Sequence, residues 1–141
     1  MVIGVFVLVL MGAISASFYT VERSAAVTAV AAGARAAATA NPGNPNQPNL
    51  AAAQAAVTQV TREAMFGTAV AVVQQPANSP CAAGGTGQVT VCVEQVTDSA
   101  GALDMVSVHM VGTPHNPVPT FGIFNWSLDV EARVHQVTFL P

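Results

Sequence analysis

The first twenty-one residues, Met1 to Val21, form an uncharged and largely apolar run. As a helix they are long enough to cross a bilayer core of about 30 Å. The run passes into SAAVTAVAAGARAAATA, which is dominated by alanine, the strongest helix former, with no proline before Pro42. One helix is therefore predicted over residues 1–40, and at 1.5 Å per residue it extends about 60 Å, twice the thickness of the lipid core. Its second half must project beyond the membrane. That half is small and apolar at nearly every position, a surface suited to close packing against other helices.

NPGNPNQPN at 41–49 breaks this helix and reads as a flexible linker. Asn49 can cap a second, amphipathic helix, LAAAQAAVTQVTREAMF, in which Ala53, Ala56, Val57, Val60, Ala64 and Met65 fall near one face and Gly67 supplies a stop. The pattern then changes period. Residues 68–75, 87–98, 103–112 and 124–140 are rich in valine and threonine and partly alternate, which predicts strands. DSAG at 98–101 is short enough for a hairpin, whereas TPHNPVPTFG at 113–122, with three prolines, is a longer exposed loop. The predicted class is α+β. An N-terminal transmembrane or filament-core helix (1–40) and a linker (41–49) precede an extracytoplasmic head (50–141) of one helix and a three- or four-stranded antiparallel sheet.

With forty of 141 residues spent on one helix, about a hundred remain for a single modest core. Charged residues are 8% of the chain, with no lysine and four arginines, so no basic stripe exists to neutralise phosphates and nucleic acid is excluded as a partner. A 52% hydrophobic content with a net charge of only -3 points to burial in lipid or in neighbouring subunits. Cys81 and Cys92 flank the glycine-rich AAGGTGQ, which lets the chain double back into a local disulfide, a staple of roughly 2–3 kcal/mol. The alternative is two free buried thiols. A metal centre would need further ligands at short spacing.

The chemistry-bearing residues are sparse. His109 and His135 fall on predicted strands and His115 in the proline-rich loop, without ligand-spaced Cys, Asp or Glu, and no catalytic or phosphate-binding motif is present. Neither an enzyme nor a cofactor is expected. Asn125-Trp126-Ser127 is an N-x-S glycosylation sequon, and Trp126 with Phe121 and Phe124 reads as a packing cluster.

Two features of the N-terminal helix bear on association. Gly12 and Ala16, and Ala29, Gly33 and Ala37, are spaced four apart and form faces on which helix backbones approach closely. If those faces meet other copies, Gly33→Leu blocks assembly and leaves the head folded; alternatively the tract packs on its own head. Glu22, just past the apolar run, is placed to pair with Arg23 or Arg35 of another subunit and set an axial register, the alternative being that all three are solvated or contact lipid. A secretory signal would begin with a basic region, yet the first positive charge is Arg23. Either a leader was cut ahead of Met1 or insertion follows another route; residues 14–17 are the best cleavage site if the whole segment is removed.

The uncharged span, the tract Ala31-Ala32-Gly33-Ala34-Arg35-Ala36-Ala37-Ala38 and the valine-rich head with its late strand SLDVEARVHQV resemble the TadE-like pilus-assembly proteins of the tight-adherence systems, a branch of the type IV pilin superfamily. The resemblance implies a structural subunit held in the inner or cytoplasmic membrane and trimmed by a prepilin peptidase. Pilus assembly machinery then draws it into a homo-oligomeric helical filament at the cell surface. Two alternatives stand beside that reading: a minor pseudopilin that primes or caps a pilus made of something else, and a simple membrane-anchored binding module whose loops, such as 113–122, contact a partner. One departure stands out: Val5 occupies the place where type IV pilins usually carry a glutamate, and no acid precedes Glu22.

Overall fold

A computed structural model of the chain describes residues 2–39, 41–44, 47–65, 67–76, 79–97, 103–117 and 126–135. The first helix, α1 (Val2–Ala37), is continuous for 36 residues, about 54 Å at 1.5 Å per residue. Its hydroxyls bond back to its own carbonyls: Ser17 Oγ donates to Ala13 O at 3.0 Å, and Thr20 Oγ1 to Ala16 O at 2.9 Å. A polar side chain satisfied in this way costs little in an apolar setting.

The described residues of the linker, 41–44 and 47–49, brace a corner. Asn49 donates its backbone N–H to Ala37 O at 2.9 Å, and Asn41 Nδ2 reaches Pro48 O at 3.3 Å. Asn41 Oδ1 accepts the N–H of Gly43 at 3.0 Å, a side-chain turn that asparagine favours. Pro48 is buried beneath the corner. The second helix, α2 (Leu50–Ala64), starts as expected, with Asn49 Oδ1 accepting from Ala52 N–H at 3.1 Å. Ala53, Val57 and Thr61, at i, i+4 and i+8, are its buried stripe against α1. The chain turns away at Gly67, where φ of 70° suits glycine.

Four strands follow, β1 (Ala69–Gln75), β2 (Gln88–Thr97), β3 (Leu103–Thr113) and β4 (Leu128–His135), in the spatial order β1-β2-β3-β4. The expectation of an all-antiparallel sheet is corrected at β1, which pairs with β2 in parallel; the other two pairings are antiparallel. The reason is the twelve-residue connection at 76–87, long enough for the crossover that parallel neighbours require. Cys81 and Cys92 are disulfide-bonded with Cα atoms 5.8 Å apart, which ties this crossover to β2. Gly112 permits the β2–β3 approach: a Cβ there would lie 2.8 Å from Val89 Cα and closer still to Gln88 O, at a φ of +151°. The predicted hairpin at 98–101 lies outside the described residues.

One face of the sheet carries Val89, Val91 and Val93 of β2, Val106, Val108 and Met110 of β3 and Leu128 of β4, all buried. Against it lie Ala26, Ala29, Val30, Ala34 and Ala37 of α1 and the buried stripe of α2, so the core is a single helix-on-sheet layer. The alanines let α1 sit close to the valines. At about 25 cal/mol per Å² of apolar surface removed from water, this layer supplies most of the head's stability.

Candidate assembly surface

The helix α1 has two environments. Residues 3–10 are exposed on every side, with Ile3 79%, Val5 64%, Phe6 66% and Val9 62% accessible. From Glu22 onward the helix is embedded in the head along one face. Ile3–Ala37 is long and apolar enough to cross a membrane by length and composition, a description that a signal sequence near an N-terminus also meets. The head meets α1 from Ser15 onward, where Ser15, Phe18 and Tyr19 face Pro114, Asn116 and Trp126, so residues 3–14 are the stretch left clear of it.

The small-residue face resolves toward the chain's own head. Ala29 and Ala37 are fully buried, and a Cβ on Gly33 would stand 2.7 Å from Val57 Cγ2 of α2 and 3.8 Å from Val108 Cγ1 of β3. Gly33 therefore sits at the α1–α2 approach inside the subunit, and Ala29 and Ala37 belong to the core of the same head. Gly12 is half-buried and Ala16 is exposed.

The charges separate likewise. Glu22 is only 7% exposed and turns into the head, whereas Arg23 and Arg35 are exposed. Glu22 shares a tight enclosure with Ser15, Phe18, Tyr19, Pro114, Asn116 and Trp126. Burial pushes its carboxyl up to about 6. Among the described residues the buried Ser15 Oγ has no hydrogen-bond partner. Trp126 stacks on Tyr19 with ring centroids 4.8 Å apart and planes inclined by 26°, closing the enclosure. The expected cluster of Trp126 with Phe121 and Phe124 lies partly outside the described residues, as does Asn125 of the sequon.

The opposite sheet face is polar. Glu131 Oε1 accepts from Ser107 Oγ and from Arg133 Nε, each at 2.6 Å, and His109 Nε2 lies 2.6 Å from Asp129 Oδ1. The Arg133 and Ser107 hydrogen bonds hold the Glu131 carboxyl below the usual carboxylate range. His115 donates its backbone N–H to Thr68 Oγ1 at 2.9 Å. Among the described residues no group of three or more His, Cys, Asp or Glu is placed to hold a metal ion.

The seam missed in the sequence was the one joining Ser15, Tyr19 and Glu22 to Trp126. Part of it had a signal: positions 15, 19, 22, 26, 29, 33 and 37 are spaced three or four apart and make one helical face. Glu22 on a face otherwise small or aromatic marks a buried carboxyl. No family model, curated protein or solved structure matches the chain.

Proposed function

We propose that this protein is a pilin-like structural subunit, similar in design to the TadE-like branch of the type IV pilin superfamily. In this reading α1 holds the subunit in the inner or cytoplasmic membrane, and the same helix later packs with its copies in the core of an extracellular filament. One observation carries the reading: a continuous helix whose first third is apolar and uncovered on all sides while its last third is built into a disulfide-stapled head. Such a segment needs either lipid or other copies around it, and helical repetition of one contact supplies the second without any catalytic group. A prepilin peptidase and a pilus assembly machine are the partners this scheme requires.

Electron microscopy of a sheared cell-surface preparation tests it. Filaments composed mainly of this chain are expected. Trace incorporation in filaments of another protein would make it a minor pseudopilin that primes or caps them. Recovery only from detergent-extracted membranes would make it an anchored binding module and end the filament reading.

A further inference from the structure

Between α1 and α2 runs an open groove of about 680 Å³. Val21 and Ala25 of α1 and Val60 and Ala64 of α2 give it an apolar surface, with Ser24 and Gln59 also lining it. Its one charged lining residue is Glu63. Val21 is 55% exposed there. Along α1 the groove runs from Thr20 to Thr28, about 12 Å or about two turns of a helix.

Lipid does not account for this surface. Residues 3–14 are the stretch of α1 clear of the head, and the groove, lined from Thr20 to Thr28 and from Gln59 to Ala64, lies beyond them on the head side. Its occupant has to be slender, uncharged and apolar. Residues 3–14 of α1 meet all three conditions: they carry no charge, they are helical, and residues 3–10 are uncovered in their own subunit.

Resting on the filament reading above, we infer that the α1–α2 groove of one subunit receives residues 3–14 of a second copy's α1. Copies in a filament share one polarity, so the entering helix runs parallel to α1 and antiparallel to α2. Aligning residues 3–14 with residues 20–28 requires an axial offset of about 15 residues, or about 23 Å at 1.5 Å per residue. That offset lifts the entering segment out of the lipid, so the contact is barred while both copies sit at one depth in the membrane. It forms on assembly. The contact is also head-to-tail, so each subunit gives one helix and receives another and the chain of contacts does not close on itself.

Site-directed cross-linking tests this contact. Val9→Cys and Gln59→Cys are placed together in the full chain; both positions are exposed, and the native Cys81–Cys92 pair is already oxidised. A short bis-maleimide applied to sheared filaments is expected to give a ladder of covalent multimers, absent from the membrane-held pool and from either single variant. Filaments without a ladder, or an equal ladder in the membrane pool, overturn the groove contact and leave the filament reading standing. Ser24→Trp is the second arm, because it fills the groove from an exposed position. Loss of filaments with unchanged thermal unfolding of the head supports the contact; wild-type filament yield overturns it. If the unmodified chain forms no filament, the functional reading itself falls and this contact with it.

Discussion

Glu22 shows how one side chain is governed by the face it occupies. It stands on the stripe that α1 turns toward the head, so it is desolvated with Ser15 on one side and the Tyr19–Trp126 stack on the other. Its carboxyl is raised from 4.5 to about 6. The folded state therefore binds this proton more tightly than the unfolded chain does. Stability from this group is fully present below pH 4.5, declines as pH rises toward 6, and above that is lower by at most about 2 kcal/mol, at 1.36 kcal/mol per unit. Glu131, with its lowered value, contributes in the opposite direction, so the comparison has to be made between variants. Glu22→Gln keeps the shape of the neutral acid. It is expected to match the wild type at pH 4 and to be more stable at pH 7.5 by up to that amount, measured by urea unfolding in mild detergent with the emission of Trp126, the only tryptophan. Equal stability at pH 7.5 would show that the carboxylate reaches water.

At the scale of elements, the α1–α2 pair depends on the absence of a side chain at position 33. Any Cβ there meets Val57 Cγ2 at 2.7 Å, and a leucine would drive the two helices apart. Gly33→Leu is therefore expected to destabilise the head itself by about 1–3 kcal/mol or more, the usual cost of overpacking. A lower midpoint in a thermal circular-dichroism scan checks this. An unchanged midpoint with lost assembly would return Gly33 to an intermolecular role. The helices were legible from composition and caps: alanine content and the missing prolines predicted α1, and Asn49 marked the start of α2. The strands were legible from valine and threonine content, but the direction of β1 was not. Direction depends on how the chain crosses from β1 to β2, which the local pattern of valine and threonine does not specify. The Trp126–Tyr19 stack was illegible for the same reason, since nothing local to either residue specifies its partner. Spacing of small residues showed that a close helix approach exists, without showing whether the other helix belongs to the same chain.

For the whole molecule, the decisive property is that the apolar projection and the head meet only over a short stretch of α1. The core formed by Ala26, Ala29, Val30 and Ala34 against the valines of β2 and β3 lies wholly beyond residues 3–14, the stretch clear of the head. Residues 3–10 are exposed throughout and contribute nothing to that core. Their apolar surface makes the intact chain require lipid, detergent or copies of itself, because an exposed apolar patch of more than a few hundred Å² drives association. Removing residues 2–10 is therefore expected to separate the two properties. The shortened chain keeps Ser15, Tyr19 and Glu22, and with them the seam to Trp126. It should remain in solution without detergent, run as a monomer in size-exclusion chromatography with light scattering, and unfold at the same temperature as the detergent-held full chain. It should also fail to enter filaments when supplied beside the wild type, because it retains the receiving groove but has lost most of the segment that fills a neighbour's. Aggregation of the shortened chain, or its efficient entry into filaments, would place the self-associating surface on the head instead of on the projecting helix.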